Sequence, residues 1–134
     1  MKRVLVIDDE PAIRTVLKRV LERAGHTVRL AANGAEGLES LEAQVTDIVI
    51  TDIIMPTMHG VAAIKAILEK FPEVRIVAIS GGGNFDNSDY QPHAIKTEAY
   101  LAAATLAGAH AVLNKPFHTS DVLQAIATAT GSPE

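Results

Sequence analysis

The feature that most constrains this chain is a regular alternation between two kinds of hydrophobic pattern. Short runs rich in Val, Ile and Leu, each suited to a buried strand, alternate with stretches whose apolar residues recur at helical spacing. Strands are predicted over 3–8, 26–31, 47–51, 74–80 and 110–114. Helices are predicted over 10–25, 33–44, 60–71, 94–109 and 120–130. This order predicts an α/β fold with a doubly wound, five-stranded parallel sheet and helices on both faces.

Local signals support these boundaries. Pro11 suits the first turn of a helix, where its missing N–H costs nothing. Gly25 is a typical residue just past a helix end. Pro72 disfavours helical backbone at the preceding residue, so the third helix is expected to end near Phe71.

Composition limits the class of protein and its partners. The chain has 134 residues, of which 48% are hydrophobic and 21% charged, so we expect one folded domain over 1–134 without an output domain. A net charge of -4 argues against nucleic acid as a partner. Cysteine is absent, which excludes disulfides and thiolate chemistry. No apolar run is long enough for a signal peptide or a membrane span, so we expect no membrane association and a cytoplasmic location.

Polar residues follow most of the predicted strands. In an open parallel sheet, ligands bind beyond the carboxyl ends of the strands, at the switch in strand order. The residues at these ends are Asp8, Asp9 and Glu10 after the first strand, Asp52 at the third, Ser80 at the fourth, and Asn114 and Lys115 at the fifth. One edge of the sheet is therefore expected to gather several carboxylates, a hydroxyl and an ammonium group.

This set of groups is suited to phosphoryl transfer. Clustered carboxylates repel one another, and a hard cation such as Mg2+ with oxygen ligands relieves that repulsion. A cation and Lys115 would neutralise the phosphoryl oxygens, leaving Asp52 as the nucleophile. Each residue also has an ordinary structural interpretation: Asp8 and Asp9 could cap a helix, Ser80 could be a plain strand-end hydroxyl, and Lys115 could be solvated.

The complete set of motifs resembles the receiver domain of bacterial two-component response regulators, in particular stand-alone, chemotaxis-regulator-like receivers. The motifs are the doubled Asp8–Asp9, Asp52 within "DIIMPTMHG", Ser80, and Lys115 within "KPF". The resemblance covers nearly the whole chain and implies a flavodoxin-like strand order of 2-1-3-4-5. It also implies that Asp52 accepts a phosphoryl group from a sensor histidine kinase or a phosphotransfer protein.

The resemblance further assigns a role to each motif residue. Asp8 and Asp9 would organise Mg2+, with Asp9, Asp52 and the backbone carbonyl of Ile54 as ligands. Ser80 and Lys115 would each contact a phosphate oxygen after transfer. Output would pass through contacts with an unknown downstream protein or along a phosphoryl relay. Apart from promoting its own phosphorylation and slow dephosphorylation, the chain is not expected to be an enzyme.

The sequence departs from the family pattern at one position and in one longer segment that bear on the site. Val112 stands where receivers usually carry an aromatic residue three positions before the lysine, so the usual aromatic switch is expected to be absent or displaced. Residues 81–93 form a Gly-rich insertion after the fourth strand, which we interpret either as a lid over the site or as a neutral surface loop.

Three other functions fit less well. A haloacid-dehalogenase-like phosphatase needs an acidic residue two positions after its nucleophile, and Ile54 stands there. A receiver that binds partners without phosphorylation would not need the acidic pair, Asp52 and Lys115 together. A flavin-binding protein of the same topology would need a phosphate-binding loop after the first strand, which the sequence lacks.

Overall fold

A computed structural model describes residues 2–53, 60–80, 105, 107–115 and 117–131, except for the side chains of residues 60, 61 and 80. The strands are β1 (Arg3–Ile7), β2 (Thr27–Ala31), β3 (Ile48–Asp52), β4 (Arg75–Ser80) and β5 (Ala111–Asn114). The helices of the described ranges are α1 (Pro11–Arg23), α2 (Gly34–Ala43), α3 (Gly60–Lys70) and α4 (Thr119–Thr130).

The five strands form one parallel sheet in the order β2-β1-β3-β4-β5. The predicted strand order and fold class are therefore confirmed. Since the chain passes from β1 outward to β2 and then returns to β3 on the other side, the switch in strand order lies between β1 and β3. Their carboxyl ends are the place where such a sheet presents a ligand site.

The sheet separates two hydrophobic layers because successive side chains of a strand point to opposite faces. On β1, Val4 and Val6 pack with Leu17 and Leu21 of α1, in a layer that also includes α4. The alternate residues of β1 face the layer formed with α2 and α3. That second layer contains Leu5, Ile7, Ala31, Leu41, Val49, Ile53, Ile64, Ile67, Val74, Ile76 and Ala78. Burial on both faces explains why the strands are almost continuously apolar.

The predicted boundaries of the first, second, third and last helices hold to within two residues. Pro11 occupies the first turn of α1, and Gly25, just beyond its end, has a φ of +99° that favours glycine. Asn33 caps α2 by accepting a hydrogen bond from the Glu36 amide. One residue of the apolar stripe of α1 differs from the simple pattern, because Val16 is exposed.

Several expectations fall on residues outside the described part of the chain. These are the Gly-rich segment 81–93, Ile54, and most of the predicted helix 94–109, of which residues 105 and 107 are described and helical. None of the helices in the described ranges has the length and apolar character that a bilayer crossing requires.

Candidate functional site

The carboxyl ends of β1 and β3 place two aspartates side by side. Ile7, the last residue of β1, pairs with Thr51 of β3, so Asp8 follows one strand at the level where Asp52 ends the other. Both aspartates are buried, although a carboxylate in that position normally costs free energy. Parallel pairing thus brings together two groups that are 44 positions apart in the sequence.

Asp9 completes a group of three carboxylates with Asp8 and Asp52. One oxygen from each of the three residues lies within 4.8 Å of the others. Asp9 is exposed, whereas Asp8 and Asp52 are buried, so the cluster opens towards solvent on the Asp9 side. The predicted meeting of these three residues at one edge of the sheet is therefore what the structure shows.

Asp8 is held in place by hydrogen bonds with β2 and with the start of α1. Its backbone N–H donates to the Ala31 carbonyl of β2 at 3.1 Å, and Nη1 of Arg14 donates to its carbonyl at 2.7 Å. One carboxylate oxygen, Oδ1, accepts the Glu10 amide at 2.9 Å. The other oxygen, Oδ2, is buried and accepts no hydrogen bond from a described residue. The carboxylate is therefore fixed with one oxygen directed into the cluster.

The surroundings of Asp8 oppose its ionised form. Burial, reinforced by the nearby charge of Asp52, raises the pKa of Asp8 to about 6, against the opposing effects of the Glu10 amide and Lys115. A carboxylate with a raised pKa and an unsatisfied oxygen is stabilised by a cation. Clustered carboxylate oxygens are the ligands that Mg2+ prefers, so the cluster fits such an ion.

Lys115, the residue after β5, extends into the same cluster. Its Nζ lies 3.2 Å from Asp52 Oδ2, 3.2 Å from Glu10 Oε1 and 3.4 Å from Asp8 Oδ2, and its side chain is only 6% exposed. The contact with Asp8 is an ion pair, because 3.4 Å is long for a hydrogen bond. Burial disfavours the ammonium, but the attraction of Asp52, Asp8 and Glu10 outweighs burial and raises the pKa of Lys115.

The remaining predicted site residues are placed less completely. Ser80 ends β4 and pairs with Asn114 of β5, so its backbone lies at the expected edge of the sheet. The carbonyl of Ile54 lies outside the described residues. Val112 is 43% exposed on β5, at the position where the family pattern calls for an aromatic residue.

Sequence reasoning missed two residues that shape the site. The sequence places Glu10 at the end of the first strand without indicating a role, and it indicates for Arg14 only a position in a helix. Glu10 contacts Lys115, and Arg14 fixes the backbone of Asp8. The available signal was their position in the first turn of the helix that directly follows the acidic pair.

Comparisons with known proteins agree with this geometry. The chain matches the family described as "Response regulator receiver domain" over residues 4–127. It is 36% identical over 126 residues to the chemotaxis protein CheY of Thermotoga maritima, covering 93% of this chain and 94% of that protein. Identity to CheY of Bacillus subtilis is 32% over 125 residues, with 92% and 93% covered. A CheY-like receiver domain protein from Methanospirillum hungatei JF-1 superposes with a TM-score of 0.78 at 27% identity, covering 94% and 90%.

Proposed function

Since the chain belongs to the response regulator receiver domain family, we propose that Asp52 is the residue that accepts a phosphoryl group. Phosphorylation-gated signalling is the general function of this family. Receiver domains of this type interact with histidine kinases or phosphotransfer proteins. The family is a signalling domain rather than a class of enzymes that turn over an external substrate.

The observation that carries the proposal is the contact between Asp52 and Lys115. Their side chains are both nearly buried and meet at 3.2 Å, although 63 residues separate them in sequence. A buried carboxylate paired with a lysine beside two further aspartates combines a nucleophile with the positive charge that phosphoryl oxygens need. An ion pair that served only to stabilise the fold would not require the extra acidic groups around it.

In the proposed reaction, a carboxylate oxygen of Asp52 attacks the phosphorus of a phosphohistidine. The new O–P bond forms in line with the P–N bond that breaks, and the departing imidazole nitrogen takes up a proton. Lys115 would turn from the Asp52 carboxylate to a phosphoryl oxygen, and we propose that the Ser80 hydroxyl donates to another. These contacts neutralise charge that is spread over the phosphoryl oxygens during transfer.

A divalent cation is part of the proposal. Receiver domains bind Mg2+ at an acidic pocket, and here Asp8, Asp9 and Asp52 would hold the ion together with the backbone carbonyl of Ile54. When bound, Mg2+ supplies positive charge that draws the phosphoryl oxygens to Asp52. The buried Asp8 Oδ2 supports this assignment, since it accepts no hydrogen bond from a described residue and a metal ion could coordinate it.

The signal would leave this domain through protein contacts. We propose that phosphorylation alters the binding of a downstream protein, or that the phosphoryl group passes onward along a relay. With Val112 exposed on β5 in place of an aromatic ring, the change would travel through Lys115 and the backbone of β5, or through an aromatic side chain at another position. The cytoplasm remains the proposed location.

The first test is the intact mass of the protein after incubation with acetyl phosphate, with and without Mg2+. We expect one phosphoryl group to be added only with Mg2+, and hydroxylamine to remove it as it removes other acyl phosphates. Asp52→Asn should gain nothing, because an amide oxygen is a poor nucleophile.

Asp47→Asn provides the matched control. Asp47 precedes the opposite end of β3 and accepts the Arg3 amide at 2.8 Å, a bond that the asparagine oxygen can also accept. This variant should be phosphorylated like the parent protein. If the folded parent gains no adduct from acetyl phosphate or from a phosphorylated phosphotransfer protein, the proposal is wrong.

A further inference from the structure

Lys115 has one carboxylate partner to which the proposed reaction assigns no role. A lysine ammonium carries three N–H donors, and three carboxylates surround this one, from Asp8, Glu10 and Asp52. Asp8 and Asp52 belong to the set that would hold Mg2+, and Asp52 would also carry the phosphoryl group. Glu10 lies 3.2 Å from the ammonium and is engaged by neither event.

Glu10 stands at a position where side chains usually serve the helix. It is the N-cap residue of α1, yet its side chain makes no capping hydrogen bond. Its backbone carbonyl accepts the amides of Ile13 and Arg14, each at 3.1 Å, and its own amide donates to Asp8. Because the start of the helix is held by backbone groups, the carboxylate remains available for Lys115, which is 105 residues away in sequence.

Lys115 needs a further carboxylate partner when metal binding and phosphorylation alter Asp8 and Asp52. A bound cation would partly neutralise the charge of Asp8, and phosphorylation would convert the Asp52 carboxylate into an acyl phosphate. Of the three described carboxylates beside the ammonium, Glu10 is then the one that neither event involves. Its side chain is 31% exposed, so it lies on the solvent-facing side of the ammonium.

We propose that Glu10 is a positioning residue, which holds the Lys115 ammonium where the incoming phosphoryl oxygens meet it. The proposal rests on the function proposed above and adds a residue to it. Since Glu10 is partly exposed, the contact contributes little to folding stability. Its effect is expected on the position of the ammonium and therefore on the rate of transfer.

The test compares Glu10→Gln with the parent protein in two measurements. The first is the rate of phosphorylation by acetyl phosphate at saturating Mg2+, followed by intact mass. We expect the rate to fall about five-fold, the size expected for one charge-assisted hydrogen bond at a partly exposed site. In a Lys115→Met background, Glu10→Gln should cause no further fall, because its effect passes through the ammonium.

The second measurement needs no phosphodonor. A trace of an amine-reactive reagent labels lysines according to their accessibility, and peptide mass spectrometry compares Lys115 with the exposed Lys65 as an internal reference. Lys115 should label about three- to five-fold faster in Glu10→Gln, because a charge-assisted contact that restrains it is lost. Glu69→Gln makes the same charge change at an exposed position near the end of α3 and should alter neither measurement.

Three results would overturn the proposal. The first is an unchanged phosphorylation rate in Glu10→Gln, whatever the labelling shows. The second is unchanged labelling of Lys115. The third is an equal fall in rate in the Lys115→Met background, since Glu10 would then act on the metal or the phosphodonor. If the parent protein forms no adduct at all, the proposed function fails, and the labelling comparison still decides whether Glu10 holds Lys115.

Discussion

At the scale of single residues, Asp8 shows that the site is assembled at a cost to the fold. A carboxylate whose pKa rises from 3.8 to about 6 on folding is more easily protonated in the folded protein than in the unfolded chain. Ionised Asp8 therefore destabilises the metal-free fold at neutral pH. This cost is expected of a residue that serves ligand binding rather than folding.

Replacing Asp8 should separate its effect on folding stability from its proposed role in binding Mg2+. We expect Asp8→Asn to raise the free energy of unfolding of the metal-free protein at pH 7.5 by about 1–2 kcal/mol, because a buried charge is removed while an oxygen remains for the Glu10 amide. The same change should weaken Mg2+ binding. Urea denaturation and calorimetric Mg2+ titration measure the two effects. A variant less stable than the parent without metal would contradict this account.

At the scale of elements, the approach of α2 to β1 sets the position of the strand end that carries Asp8. Gly37 of α2 is buried against Ile7, the residue just before Asp8. A Cβ added at Gly37 would overlap Ile7 Cδ1 and lie 2.9 Å from Ile7 Cγ1. Glycine therefore allows the helix to pack closely against the centre of the sheet.

Gly37→Ala should destabilise the protein even though alanine favours helices. The gain in helix propensity is about 1 kcal/mol, whereas overpacking a full core costs about 1–3 kcal/mol, so we expect a net loss of about 1 kcal/mol. Ile7→Val removes Cδ1, the atom that overlaps most. The double variant should thus lose less stability than the sum of the single variants in urea denaturation. If the losses of stability of the two single variants simply add in the double variant, the Gly37→Ala methyl group does not overlap Ile7.

At the scale of the whole molecule, we expect the acidic cluster to couple folding and proton binding to the binding of a divalent cation. Between about pH 4 and 6 the folded protein retains a proton on Asp8 that the unfolded chain has lost, because the pKa of Asp8 is raised to about 6. The contribution of Asp8 to metal-free stability therefore falls as the pH rises through this window and levels off above it. Mg2+ should restore this stability above pH 6, where the Asp8 carboxylate is ionised.

Thermal unfolding with and without Mg2+ tests this coupling. At pH 7.5 and a Mg2+ concentration of 100 times Kd, the stabilisation should reach about 2.7 kcal/mol. The apparent affinity should fall by about ten-fold for each pH unit below 6, because one proton competes with the metal. Sodium chloride at equal ionic strength is the control for general screening. Equal Mg2+ stabilisation at pH 5 and pH 7.5 would contradict the coupling.

The sequence by itself determined the fold and the composition of the site. Alternating residues such as Val4 and Leu5 face opposite layers because a strand has a period of two, and the pattern shows this without any tertiary information. Parallel strands end at the same edge of the sheet. Asp8, Asp52 and Lys115, which end or follow three of these strands, are therefore expected to meet from the sequence alone.

Only the tertiary structure decided how each charged group is used. The neighbours Asp8 and Asp9 look alike in sequence, yet one is fully buried and the other exposed. Glu10 looks like a helix-start residue, but its carboxylate contacts Lys115. Local patterns fix backbone geometry and the face a side chain points to. Tertiary packing decides which charged side chain is desolvated. It also decides which distant group then pairs with that side chain in place of water.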